Sequence, residues 1–91
     1  VTLKSKLDFR LDVLGNPFRN QIQLRYSTQQ TTELQLSLYD MQGKLMLRDK
    51  LMARTGTAIH TINGVSYLPP GVYMLQTEGE RFNKTFRLVK Q

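Results

Sequence analysis

Length, composition and charge exclude several protein classes before any motif is considered. The chain has 91 residues, which suits a single domain, and it has no cysteine, so disulfide frameworks and thiolate sites are excluded. Thirteen Lys and Arg against seven Asp and Glu give a net charge of +6. These cations alternate with apolar residues along the whole chain, so we expect solvated strand faces and no nucleic-acid partner. Because no apolar stretch approaches the ~20 residues of a membrane span, we also expect no direct membrane insertion.

Apolar residues alternate with polar residues through most of the chain, which is typical of half-buried β-strands. The first such segment covers residues 7–14. Gly15-Asn16-Pro17 interrupts it, because Pro17 cannot donate a backbone hydrogen bond and restricts the residue before it. A second strand is predicted over residues 21–26.

The third predicted strand, residues 33–39, has the clearest alternation, with three leucines on one face. Asp40-Met41-Gln42-Gly43 follows it, with a side-chain acceptor at the first turn position and a glycine at the fourth. This pattern predicts a type I turn that is closed by a glycine in the left-handed region.

Four more strands are predicted after this turn. The fourth covers residues 44–51 and the short fifth covers residues 57–62, after a break at Arg54-Thr55-Gly56. The last two cover residues 72–77 and 81–89.

Seven short strands with turn residues between them, and no 3.6-residue period, predict an all-β, seven-stranded antiparallel β-sandwich. We expect one domain over residues 1–91, whose first fifteen residues can include a linker from an upstream part of a longer protein. The predicted core consists of the inward apolar residues Phe9, Ile22, Leu24, Leu34, Leu36, Leu38, Leu45, Leu47, Ile59, Leu75, Phe86 and Leu88.

The sequence contains no convincing set of catalytic or metal-binding residues. His60 is the only histidine, and on a short strand without a second imidazole we expect it to face solvent. The carboxylates are scattered, and no serine lies in a nucleophile-elbow context. We therefore expect no enzyme activity, no cofactor and no metal.

A proline-glycine corner precedes the sixth strand. In Leu68-Pro69-Pro70-Gly71-Val72-Tyr73, the prolines cannot join a hydrogen-bonded ladder and the glycine permits a sharp bend. A tyrosine just inside a late strand of a sandwich often bonds back to the preceding connection. We expect Tyr73 to fix the corner in this way.

Four segments together resemble a known family. They are the Asn16-Pro17-Phe18 break, the turn from Leu38 to Lys44, the corner from Leu68 to Tyr73, and a lysine-containing last strand from Phe82 to Lys90. In their order and spacing they resemble the type IX secretion system C-terminal sorting domain of Bacteroidetes, over the 76 residues from Asn16 onward.

The resemblance implies an immunoglobulin-like module at the C-terminus of a cargo protein. Such a module directs its cargo through the outer membrane, and in most cargo a sortase removes it and attaches the cargo to anionic lipopolysaccharide. The implied partners are the outer-membrane secretion machinery and the sortase. The implied location is the periplasm in transit to the outer membrane and cell surface or the extracellular space.

The resemblance also implies a set of recognition residues: Asn16, Pro17, Gly43, Gly71, Tyr73, Lys84, Lys90 and Gln91. The glycines, Pro17 and Tyr73 are equally what the turns of any sandwich need. Lys84 and Lys90 are expected to be solvated cations and therefore the better candidates for direct contact. A receptor could pair with the edge of the last strand or bind its cations and free carboxylate. A strand-exchanged homodimer is a further expectation.

Two other interpretations stay open. The chain could be a passive or adhesive immunoglobulin-like module of a surface protein, although only Tyr39 places an aromatic ring on a predicted polar strand face. It could also be an uncleaved domain of a component of the secretion machinery.

Overall fold

The computed structural model describes residues 9–80 and 82–91, and these residues form seven strands and no helix. In chain order the strands β1 to β7 are Arg10–Leu14, Ile22–Thr28, Thr32–Asp40, Leu45–Ala53, Gly56–Ile62, Gly71–Gly79 and Asn83–Lys90. They form a three-stranded antiparallel sheet, β1-β2-β5, and a four-stranded antiparallel sheet, β4-β3-β6-β7. The predicted all-β antiparallel sandwich is confirmed. Within the described ranges there is no helix long and apolar enough to cross a membrane.

The strands begin and end close to the predicted positions. The first strand starts at Arg10, and Leu7 and Asp8 of the predicted segment lie outside the described residues. The last strand begins at Asn83 and ends at Lys90; Arg81, the predicted first residue, also lies outside them.

The turn after β3 forms as the sequence predicts. The N–H of Gly43 donates to the Asp40 carbonyl oxygen over 3.1 Å, and Gly43 has a φ of 84°. The Asp40 Oδ1 atom accepts from the N–H groups of Gln42 and Lys44, each at 2.9 Å. These hydrogen bonds join residues at most four positions apart, so the end of β3 and the start of β4 are specified locally.

The core lies between the two sheets. The predicted core residues that are fully buried are Ile22, Leu24, Leu34, Leu36, Leu38, Leu75 and Leu88. Phe9, Leu47 and Phe86 are partly buried and pack against them. Strand alternation does not predict Phe18, Val65 and Leu68 as core residues, because they lie in connections between strands, yet all three are buried in the core.

Two predicted core residues are wrong. The prediction fails for Leu45, which is 40% exposed because the register between β3 and β4 shifts after Leu38. Leu38 pairs with Leu47, but Tyr39 pairs with Leu45, so the extra residue turns Leu45 to the outer face. Ile59 is 54% exposed because Ile62, three residues later on β5, faces the core, and residues three apart on a strand point to opposite faces.

Candidate recognition surface

Asn16 binds the free edge of the last strand. Strand β7 is at the end of its sheet, so every second residue directs its backbone groups away from β6. The Asn16 Nδ2 atom donates to the Arg87 carbonyl oxygen over 3.2 Å, and its Oδ1 atom accepts from the Val89 N–H over 3.0 Å. The side-chain amide therefore supplies the one donor and one acceptor that a neighbouring strand would supply with a peptide group.

The backbone of Phe18 continues this pairing towards the end of β7. Its N–H donates to the Val89 carbonyl oxygen over 2.9 Å, and its carbonyl oxygen accepts from the Gln91 N–H over 3.0 Å. The contact is a parallel bridge between Phe18 and Lys90. The Gln91 side chain is held as well, because its Oε1 atom accepts from Arg19 Nε over 3.2 Å. A short segment after β1 thus covers the last third of β7.

Tyr73 fixes the corner before β6, as the sequence predicts. Its hydroxyl donates to the Pro69 carbonyl oxygen over 2.6 Å, and its ring lies edge-on to the buried Phe18 ring with centroids 6.3 Å apart. Gly71, with a φ of 153°, starts β6 opposite Lys90. Burial, followed by the charge of Asp40 and by Tyr67, raises the pKa of the Tyr73 hydroxyl above its usual 10.0.

The raised pKa gives a pH-dependent prediction for Tyr73→Phe. At neutral pH we expect the change to lower the unfolding free energy by about 1–2 kcal/mol, because the Pro69 carbonyl loses its donor. The native pKa exceeds the unfolded one, so the contribution of Tyr73 is complete below pH 10.0 and is lost as the pH rises above it. Urea unfolding at about pH 8 and about pH 11 should show the difference between wild type and variant narrowing at the higher pH. A difference that stays constant would contradict the hydroxyl bond.

The Asp40–Gly43 turn lies at the same end of the sandwich, because Asp40 at the end of β3 is the strand partner of Tyr73 at the start of β6. The predicted recognition residues Asn16, Pro17, Gly43, Gly71, Tyr73, Lys90 and Gln91 therefore meet there. We call this end of the sandwich, defined by those residues, the motif end.

Comparison with known proteins shows the family of the chain. The family model described as the secretion system C-terminal sorting domain matches residues 13–91. The chain belongs to the family of type IX secretion C-terminal sorting domains. It is therefore a sorting signal for type IX secretion, which implies interaction with that machinery and transit toward the outer membrane or cell surface.

One solved structure shares the fold of the sorting domain. The sorting domain is similar to part of a β-glucosidase from Listeria innocua, with a TM-score of 0.52 and 13% sequence identity. The match covers 96% of this chain and 16% of the β-glucosidase chain, so it shows a shared fold alone. No match to the chain was found among curated proteins.

Lys90 of the sorting domain is not the solvated cation that the sequence analysis predicted. Its side chain is on the face of β7 that also carries Leu88, and the residue is only 7% exposed. The Nζ atom donates to the backbone oxygen of Gln91 over 3.0 Å. The stem of Lys90 is thus buried while its ammonium group bonds to the backbone, so Lys90 contributes to packing.

Lys84 is exposed, but it is distant from the motif end. Six residues of extended strand separate it from Lys90, which corresponds to about 20 Å. Its Nζ atom lies 4.9 Å from the centroid of the Phe86 ring. Of the two lysines predicted to make contacts, Lys84 is the exposed one, and it lies on β7 away from the motif end.

His60 is also not in the predicted environment. It faces inward from β5, its side chain is 22% exposed, and its Nε2 atom lies 2.9 Å from the Asp49 Oδ2 atom of β4. The pair joins the edge strands of the two sheets. The parts of the chain that the structure describes contain no group of three His, Cys, Asp or Glu side chains able to hold a metal ion.

Proposed function

We propose that the secretion machinery, through its translocon and sortase, recognises the motif end of the folded sorting domain. The observation that carries this proposal is the Asn16 contact. Asn16 is 71 and 73 positions away from its two partners on β7. Residues this far apart in sequence form one surface only after the sandwich has folded, so the machinery would recognise a folded domain in the periplasm.

We infer that cargo joins the domain at the end opposite the motif end. The described chain begins at Phe9, whose ring packs edge-on against Phe82, just before β7, with centroids 4.7 Å apart. The motif end is at the other end of β7. A receptor on the motif end would therefore leave the entry of the chain accessible, which suits removal by a sortase and transfer of the cargo to anionic lipopolysaccharide. These last two steps rest on the family resemblance.

We propose no catalytic or metal-binding role for the domain itself. Among the described residues the His60–Asp49 pair is the nearest approach to an acid–base site, and no third His, Cys, Asp or Glu side chain joins it. The pair is better explained as a link between the edges of the two sheets.

The alternative of an adhesive module has little support from the surface. A carbohydrate-binding face would present several aromatic rings in one plane, as platforms for sugars. Among the described residues, Tyr67 is the large aromatic side chain that is strongly exposed, and Tyr39 is half-buried.

A fusion experiment tests the sorting activity on which this proposal rests. A periplasmic reporter is fused upstream of residues 1–91 and expressed in a type IX-competent strain and in a matched strain without the translocon. We expect protease-accessible reporter on the surface of the first strain and periplasmic reporter in the second. Periplasmic reporter in both strains would refute the proposal.

A further inference from the structure

Among the residues that the structure describes, none lies beside the first part of the last strand on its outer side. Asn16 and Phe18 cover the β7 edge from the Arg87 carbonyl oxygen onward. Because backbone direction alternates along an antiparallel strand, Asn83 and Thr85 direct their N–H and C=O groups to the same side as Val89 does. Within residues 9–80 and 82–91, no backbone or side-chain group bonds to those groups. We call Asn83–Arg87 the open edge.

The side chains along the open edge indicate what would bind there. Lys84 and Phe86 share one face; Lys84 is exposed and Phe86 is only partly buried. Thr85 and Arg87 are exposed on the other face. Neither Lys84 nor Arg87 forms a salt bridge with a described residue. A strand added here would cover the remainder of the Phe86 ring and place its own side chains beside two cations.

We propose that the open edge binds an extended segment of a partner protein, which pairs as an additional strand next to β7. This segment carries a carboxylate beside Lys84 and an apolar side chain beside Phe86. Its backbone satisfies the free groups of Asn83 and Thr85, and Asn16 limits how far it extends along β7. That the partner belongs to the secretion machinery rests on the proposed function.

A labelled seven-residue peptide with glutamate and valine two positions apart and threonine between them tests the edge directly, because both side chains then lie on the face that meets Lys84 and Phe86. We expect saturable binding to the wild-type domain by fluorescence anisotropy, and at least tenfold weaker binding to Thr85→Pro. Proline at 85 removes the outward N–H but leaves the ladder with β6 intact, as edge strands tolerate. Thr85→Ala is the matched control and should bind like wild type. Lys84→Glu should weaken binding of this peptide but not of one with lysine in place of its glutamate.

Melting temperatures establish that each variant folds. If Thr85→Pro does not fold, Asn83→Pro replaces it, because proline is tolerated at the first residue of a strand. Equal binding by the proline and alanine variants, or no saturable binding of the peptide to the wild type, would overturn the proposal. A dimer that Thr85→Pro abolishes would overturn it in favour of a second copy of this chain.

The reporter fusion tests the open edge separately from the proposed function. Surface display of wild type and Thr85→Ala, with retention of Thr85→Pro, would support a strand of the machinery as the partner. Normal display of Thr85→Pro would overturn that assignment and leave the proposed function standing. If the wild-type fusion is not displayed, the proposed function is refuted. The peptide experiment would still test whether the open edge binds an added strand.

Discussion

Replacing Leu36 with alanine should lower the unfolding free energy of the domain by about 2–5 kcal/mol. Leu36 is 0% exposed and lies on β3, a central strand of the four-stranded sheet. Removing most of its side chain leaves a cavity that the paired strands on both sides cannot close. Urea unfolding measures the loss.

The neighbouring residue supplies the control for Leu36. Gln35 is exposed on the outer face of the same strand, so Gln35→Ala should change the unfolding free energy by less than about 0.5 kcal/mol. Similar losses for both variants would mean that the inward face of β3 is assigned wrongly.

Replacing Asn16 with alanine should release the end of β7. Two hydrogen bonds to Arg87 and Val89 are lost, at about 0.5–1.5 kcal/mol each, so we expect the unfolding free energy to fall by about 1–3 kcal/mol. Hydrogen exchange should show faster exchange at Val89, whose N–H loses its acceptor, and at Gln91, which pairs with the adjoining segment.

Two further variants sharpen the Asn16 experiment. Asn16→Asp keeps an oxygen for the Val89 N–H but loses the donor to Arg87, so its exchange rate at Val89 should lie between those of wild type and alanine. Asn20→Ala, at an exposed asparagine on the same connection, should leave the exchange unchanged. Unchanged protection of Val89 in Asn16→Ala would contradict the assigned contact.

Features encoded by nearby residues could be predicted from the sequence. The alternation of β3 and the Asp40–Gly43 turn depend on contacts within a few positions, and both form as predicted. The Tyr73 bond to Pro69 spans four residues and was predicted for the same reason. The fold class follows from many such local signals that agree.

Features that depend on distant partners could not be predicted. The exposure of Leu45 results from a register shift between two strands, and the register is not visible in the alternation of either strand alone. Alternation does place Lys90 on the same face as Leu88, but a terminal lysine is ordinarily solvated, and only the surrounding Phe18 and Gly71 segments explain its burial.

The same limit applies to the candidate site. Asn16 belongs to a sequence motif, but its partners on β7 lie more than seventy positions away. No pattern in the neighbouring residues indicates them. His60 likewise bonds to Asp49 across the two sheets, which no spacing in the sequence predicts. The sequence therefore indicates the motif residues but not the surface that they form.

We propose that the secretion machinery recognises the motif end of the folded domain, which Asn16 holds together. The most direct measurement is the surface-exposed fraction of a reporter fused to Asn16→Ala. Ile22→Val is the control for stability, because it is a buried change expected to cost about 0.5–1.5 kcal/mol, and Asn20→Ala is the control for chemistry. We expect the Asn16→Ala fusion to accumulate in the periplasm while both controls reach the surface. Export of Asn16→Ala at the level of the two controls would contradict it.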